Sequence, residues 1–308
     1  MVTVQSISKY DKHQPSVITI GTFDGVHVGH KLILERLIND ARVTNRVSAV
    51  LTFFPHPRMV LQKDSDLKLL NTIEEKKQIL EGLGLDFLII QPFTKSFSRL
   101  SATTFVRDML VNSLHAKKVI IGYDHRFGRN RNANINDLIA FGNALEFEVD
   151  EIPAQEIEAV AVSSTKIRSA LMEGDVRTAN SYLGYSYMLS GEIIRGKGLG
   201  KELGFPTANL HIKEEYKLIP RNGVYVVQSQ LKNKTVYGMM NIGTNPTVDG
   251  QHQSIEVNFF DFNEDLYHQH IQVNILHWIR EEQKFNSLEE LKAQLRKDKE
   301  TAHSLISE

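Results

Sequence analysis

The feature that most constrains this chain is a change of rhythm partway along it. Through residue 152, β-rich runs at 17–23, 47–54, 87–91, 119–122 and 147–152 alternate with helix-like runs. The helices fall at 31–41, at 72–83 behind a capping box from Thr72 to Glu75, from Ser101 with Phe105 and Met109 on one face, and at 136–144. Such alternation predicts an α/β domain with a parallel sheet, because parallel neighbours need a covering crossover between them. From Tyr187 onward the grammar is strands and turns. Runs at 187–194, 223–231, 235–241, 254–262 and 271–278, with Lys232-Asn233-Lys234 as a hairpin turn, predict a small antiparallel β-barrel. A final amphipathic helix starts at the capping box Ser287 to Glu290 and carries Leu288, Leu291 and Leu295. Two short helices at 164–173 and 175–183 lie between the halves. The boundary is placed near Tyr185, giving domains 1–185 and 186–308.

Composition narrows the chemistry. Among the 308 residues there is no cysteine, which excludes disulfides, thiolate zinc sites, iron–sulfur clusters and Cys nucleophiles. Lys plus Arg number 36 against 37 for Asp plus Glu, so the broad basic field of a general nucleic-acid binder is missing and no nucleic-acid partner is expected. The longest apolar runs, such as 47–54, are too short to span a bilayer. Together with a polar stretch at 1–11, they lead us to expect a cytoplasmic protein without a membrane partner, a monomer or weak homo-oligomer.

The run GTFDGVHVGH at 21–30 leaves the first strand and enters the first helix. Gly21, Gly25 and Gly29 let the backbone approach a ligand, the helix start offers free N–H groups, and His27 and His30 add side-chain donors. That combination suits nucleotide phosphates. A zinc site at the two histidines lacks a third ligand at a customary spacing. A second helix start, SSTKIR at 163–168, presents hydroxyls and Arg168, while FPHP at 54–57 and GYDHRFGR at 122–129 follow strands. Phe54 suits either stacking on a ring or ordinary core. Arg126, Arg129 and Arg131 suit either a phosphate or a solvated loop.

In the second half, residues 191–197 read G-x-x-x-x-G-K, but Gly198 stands where a P-loop needs Ser or Thr. Lys201 likewise breaks a Rossmann fingerprint. Gly196, Gly198, Gly200 and Gly204 instead lead into FPTANL at 205–210, a flexible flap beside a hydroxyl and an amide that suit phosphate and a hard cation. Further on, Ile255, Val257 and Phe259 alternate, which sends Glu256 to the opposite strand face with Asn258 and Phe260.

These motifs carry a resemblance. GTFDGVHVGH resembles the HxGH element of nucleotidylyltransferases and, in its extended form, the N-terminal module of bacterial riboflavin kinase/FAD synthetases. VSSTKIR is similar to that family's ISSTxIR, with Val162 in place of Ile, and GFPTAN resembles the PTAN motif of riboflavin kinases. Segments 220–225, 241–247 and 280–285 also look like this family, so the likeness spans nearly the whole chain. It implies a Rossmann-like N-terminal domain that moves AMP from ATP to FMN, and a riboflavin-kinase-type barrel that phosphorylates riboflavin with ATP. By that resemblance His27, His30 and Arg168 act in adenylyl transfer, with ATP on Gly21, Phe23, Asp24, Gly29, Ser164 and Thr165. FMN would meet Phe54, His56, Pro57, Asp124 and Arg126. In the barrel, Gly196, Gly198, Gly200, Lys201, Gly204, Phe205 and Pro206 would take ATP, Thr207 and Asn209 would hold Mg2+, and Glu256 would be the general base. Lys201 stands where Arg is usual and Tyr123 where a small or acidic residue is usual. Three alternatives stay open: a nucleotidylyltransferase for another phosphorylated acceptor, a flavin-binding regulator with degenerate sites, and a class I aminoacyl-tRNA synthetase, which shares the HxGH logic but is longer and needs a basic RNA surface.

Overall fold

Six parallel strands make the sheet that the alternating first half predicts. They are β1 (Val2–Val4), β2 (Ser16–Ile20), β3 (Val47–Phe54), β4 (Phe87–Pro92), β5 (Ala116–Gly122) and β6 (Glu148–Ile152), hydrogen-bonded in the order β1-β4-β3-β2-β5-β6. The structure is a computed structural model describing residues 1–11, 13–62, 65–153, 161–196, 200, 203–247 and 250–307. Winding proceeds from β2 outward through β3 and β4 on one side, and through β5 and β6 on the other. A topological switch therefore lies between β2 and β5, and the crevice outside the strand ends there is where such sheets bind ligands. β1 is too short to stand out by pattern and was not expected.

Each sheet face is covered as the period-2 alternation requires. On one face Val17, Val50, Leu88 and Ile120 pack with Leu34, Leu37 and Ile38 of α1 (Val28–Val43) and Leu80 of α3 (Ile73–Gly82); α2 is the short turn Pro57–Leu61. On the other face Ile18, Leu51, Ile89 and Val119 meet α4 (Ala102–Thr104, continued by Phe105–Ser113) and α5 (Ile135–Leu145). The expected capping box is present: Glu75 N–H donates to Thr72 Oγ1 at 3.1 Å and Thr72 N–H to Glu75 at 2.9 Å. α4 departs from expectation, since one helical turn, Ala102–Thr104, passes into a π-helical stretch, Phe105–Ser113.

The chain divides into two units, Met1–Ser163 and Ser164–Glu308. In the second, α6 (Ser164–Glu173) and α7 (Val176–Leu183) precede a closed antiparallel barrel. Its strands are β7 (Met188–Ile194), β8 (Ala208–His211), β9 (Gly223–Leu231), β10 (Lys234–Thr247), β11 (Gly250–Phe259) and β12 (His270–Glu281), in the order β10-β11-β8-β7-β12-β9. Contacts draw the two helices to the barrel although the change of grammar falls near Tyr185: Asn180 donates to the Ile275 carbonyl at 2.9 Å and accepts from Tyr187 N–H at 2.7 Å. Val227, Met240, Val257, Val273 and Ile275 are fully buried on one side of the strands. Val224, Val226, Met239 and Phe260 turn the other way and pack with Ala302 of the terminal helix α8 (Leu288–Ser307). Among the described residues no helix is long and apolar enough to cross a membrane.

Candidate active sites

The 21–30 turn leaves β2 at the topological switch, where a nucleotide site belongs. Phe23, Gly25 and Val26 all have positive φ, an unusual density of left-handed backbone that folds the turn tightly. At Gly21 an added Cβ would lie 3.0 Å from the Phe23 ring, which would have to shift by a few tenths of an ångström. His27 is the N-cap of α1: its Nδ1 accepts the His30 N–H at 3.3 Å. An accepting Nδ1 carries no proton, so the neutral ring holds its proton on Nε2 as a donor. Burial lowers the His27 imidazole to about 4 and holds His30 well below its ordinary value, the latter helped by the neighbouring His27 and Lys76. The two rings stack at 3.6 Å, and Phe23 lies edge-on to His30 at 5.1 Å. Both histidines are thus neutral hydrogen-bonding groups at pH 7.

Behind the turn is a residue that sequence reasoning passed over. Lys76 is 4% exposed and donates to the Thr22 carbonyl at 2.6 Å. Burial lowers its ammonium and Asp24 opposes that shift. Asp24, also buried, accepts the Leu70 N–H at 2.9 Å, so it braces the turn from inside. Lys76 sits in the run EEKK, which reads as a solvated charged face. The usable signal was its spacing with Ile73 and Leu80, which places it on the helix's apolar stripe.

Beside the turn, the strand ends enclose a cavity of about 370 Å3. Phe53, Phe93, Phe97, Phe105 and Phe127 line it, with Arg58, Arg126 and Arg131. Of the expected flavin contacts, Pro57 and Arg126 are here. Phe54 is not: one residue along β3 from Phe53, it points to the opposite sheet face and packs in the core with Val50 and Ile90. His56 caps α2 through Nδ1, and Asp124 is exposed and outside the cavity wall. Ser164, Thr165 and Arg168 open α6 in the second unit, with Thr165 exposed and Ser164 and Arg168 half-buried.

On the barrel, one cross-strand row carries the polar groups. Asn209 on β8 pairs in register with Glu256 on β11, then Asn241 on β10, Val224 on β9 and Arg280 on β12. All five line a cavity of about 410 Å3 whose other wall includes Phe285, Leu291 and Leu295 of the α8 segment. Glu256 therefore faces away from the barrel interior, as its alternation with Ile255 and Val257 predicts, but into this cavity rather than into solvent. Thr207 Oγ1 donates to Glu256 Oε2 at 3.4 Å. Gly200 is held to glycine, since a Cβ there would overlap the Phe205 carbonyl, whereas a Cβ on Gly196 would displace the Asn209 amide. Gly204 has φ +81°. Gly198 and Lys201 lie outside the described residues. Pro206 and Thr207 also line a second cavity, of about 390 Å3, with Ile193, Phe259 and Tyr267. Sequence reasoning missed Arg280 as an anchor. It binds Asp298 of α8 through two hydrogen bonds, 2.8 and 2.6 Å, and Asp298 is 1% exposed.

A phosphate turn at the switch of a parallel sheet, and a Glu–Thr–Asn cluster on a barrel, define a nucleotide-dependent transferase with two centres. The model of the FAD synthetase family matches residues 9–166 and that of riboflavin kinase matches residues 183–306. The chain is 38% identical over 94% of its length to the bifunctional riboflavin kinase/FMN adenylyltransferase of Listeria monocytogenes, covering 92% of that protein. It is 37% identical over 96% of its length to the Haemophilus influenzae enzyme of the same name, covering 95% of it. A Streptococcus pneumoniae crystal structure described as a macrolide-efflux protein superposes with a TM-score of 0.87 at 31% identity, over 98% of both chains. This chain belongs to the bifunctional riboflavin kinase/FMN adenylyltransferase family.

Proposed function

We propose that the barrel converts riboflavin and ATP to FMN and ADP, and that the α/β unit converts FMN and ATP to FAD and pyrophosphate, with the functional boundary near Tyr185. The observation that carries the kinase half is the meeting of Glu256, Thr207 and Asn209 at the junction of two cavities. Thr207 lines both, which supports placing riboflavin against α8, ATP in the second cavity, and phosphoryl transfer between them. The ribityl 5′-hydroxyl is neutral and must lose its proton as it attacks the γ-phosphorus. Glu256 accepts that proton, and ADP leaves with the bridging oxygen. Thr207 Oγ1, in hydrogen-bonding reach of Glu256, orients the carboxylate. The donors here are hard oxygens, which fit Mg2+: Thr207 and Asn209 would hold it together with nucleotide phosphates. When bound, the ion would neutralise charge on the transferred phosphoryl group.

In the α/β unit the nucleophile is a phosphate oxygen of FMN, already an anion, so no general base is required. An FMN oxygen bonds to the α-phosphorus of ATP as the bond to pyrophosphate breaks. What this unit supplies is alignment and charge stabilisation: the α1 N-terminus, the His27 Nε2–H and the His30 ring. By its sequence resemblance alone, the run holding Ser164, Thr165 and Arg168 is proposed as a further ATP-phosphate element. The match of the FAD synthetase model through residue 166 supports the first two. The aromatic cavity suits the FMN ring, with Phe53 in the stacking role considered for Phe54. To test both halves, purified protein is incubated with MgATP and either riboflavin or FMN, and the flavins are separated by chromatography. Riboflavin should yield FMN and FAD, and FMN should yield FAD. If one step is missing, that unit is a binding module and its half of the proposal fails.

A further inference from the structure

A buried ammonium behind the 21–30 turn has no part in the chemistry above. We propose that Lys76 is a positioning residue for adenylyl transfer: by holding the Thr22 carbonyl it keeps the turn in its nucleotide-ready path before ATP arrives. This rests on reading the first unit as an FMN adenylyltransferase.

The turn needs such a hold because its backbone is strained. Phe23 has φ +45°, Gly25 φ +87° and Val26 φ +36°. Glycine takes the left-handed conformation freely, whereas an aromatic and a β-branched side chain both resist it. Strain of this kind persists only where the surroundings over-determine it. Within the turn, Val26 N–H donates to the Phe23 carbonyl at 3.2 Å, a local bond. The other clamps come from elements distant in sequence. Lys76 Nζ, from α3, donates to the Thr22 carbonyl at 2.6 Å, and Thr52 Oγ1, from β3, donates to the same oxygen at 3.3 Å. Both donors belong to the buried interior, so the carbonyl is drawn inward. A planar trans peptide then fixes the direction in which the chain enters Phe23. Leu70 N–H adds a third tie through Asp24 at 2.9 Å.

Lysine is a costly filler for its place on α3. Burial lowers its ammonium, and a methionine would occupy the same apolar stripe, with Leu80, without desolvating a charge. What lysine adds there is a donor long enough to reach the turn. The role has a kinetic signature. A turn that is ready only part of the time binds nucleotide with an apparent affinity reduced by its ready fraction, and saturating nucleotide restores it. Loss of the Lys76 hold should therefore appear in the KM for ATP and spare kcat. A group that contacts the reacting phosphate only in the transition state would lower kcat, and a residue that serves only the fold would weaken FMN and ATP handling together.

The experiment compares the full-length protein with Lys76→Met and Thr52→Val. Steady-state FAD formation is measured with FMN and ATP varied separately, and amide exchange of segment 21–30 is followed with and without α,β-methylene-ATP. In Lys76→Met the KM for ATP should rise about tenfold or more, the scale of one buried hydrogen bond from a charged donor. The kcat should stay within about threefold and the KM for FMN within about twofold. Segment 21–30 should exchange faster than in the wild type, and the analogue should restore its protection. Thr52→Val keeps the side chain's shape, removes the longer of the two bonds, and should raise the KM for ATP by about threefold. An unchanged KM for ATP in Lys76→Met overturns the proposal. So does a parallel rise of both KM values, which marks a residue of the fold alone, or a fall in kcat at an unchanged KM for ATP. If Lys76→Met fails to fold, Thr52→Val decides: a selective rise in the KM for ATP supports the clamp and an unchanged value overturns it. Wild-type protein that forms no FAD from FMN is a separate failure. It overturns the adenylyltransferase reading, whereas the exchange of segment 21–30 in free Lys76→Met still shows whether the lysine holds the turn.

Discussion

The two candidate sites are made of opposite materials. At the α/β turn the two imidazoles are held below their ordinary value by burial, and His27 Nδ1 accepts the His30 N–H. The barrel site presents a carboxylate, a hydroxyl and two amides in a cavity wall. The difference follows the nucleophile: a phosphate anion needs alignment, whereas a hydroxyl needs a base. On the proposed function, the chemistry of the attacking group, more than the shared use of ATP, accounts for the residues of each site.

The sharpest way to break this comparison is at Glu256. Glu256→Gln keeps shape and removes the base, so FMN production should fall about 100- to 10,000-fold. Conversion of supplied FMN to FAD should continue, as separate assays of the two steps will show. Next in size is His30→Ala, expected to slow FAD formation by a few hundredfold or more, on the order of one lost transition-state hydrogen bond, while FMN production from riboflavin persists. A third test concerns the wall of the kinase cavity. Asp298→Ala strands Arg280 in a buried setting and should cost about 3 kcal/mol of stability in the second unit. Denaturant unfolding followed through Trp278, the chain's one tryptophan, measures it, and replacing both partners with apolar residues should cost less.

The smallest expected effect is a pH slope. His27, His30 and His125 are held below their ordinary value in the folded first unit, and each returns to about 6.5 on unfolding. Below that pH the unfolded chain binds more protons than the folded one. Their stabilising neutral state is complete above pH 6.5 and is lost as pH falls toward about 4. Hydrogen-exchange protection factors in β2 and α1 should therefore fall over that window, and His27→Asn, which keeps a cap for α1, should flatten the slope.

Much of the architecture was legible because hydrophobic period changes sharply between the halves. The β3 bounds and the α3 capping box are visible in a dozen residues. Elements of three or four residues, β1 and β8, carry too little pattern to register, and β8 forms because β7 and β11 flank it. Short contiguous runs singled out His27, His30, Thr207 and Asn209 as candidates, and strand alternation sent Glu256 to the face where the structure brings it to Thr207 and Asn209. Partners distant in sequence were invisible: Lys76 is behind the turn because α3 packs there, and Arg280 meets Asp298 only when α8 folds over the barrel. That Phe53 and not Phe54 lines the aromatic cavity is a matter of parity: the pleat decides which of two neighbouring phenyl groups faces it.

The most direct test of two independent centres is complementation in a tube. Glu256→Gln and His30→Ala are each given riboflavin and MgATP, alone and mixed. Alone, the first should leave riboflavin unchanged and the second should stop at FMN. Mixed, they should make FAD, since FMN from one protein feeds the other. Absence of FAD in the mixture, with both proteins folded, would contradict the division of labour between barrel and sheet.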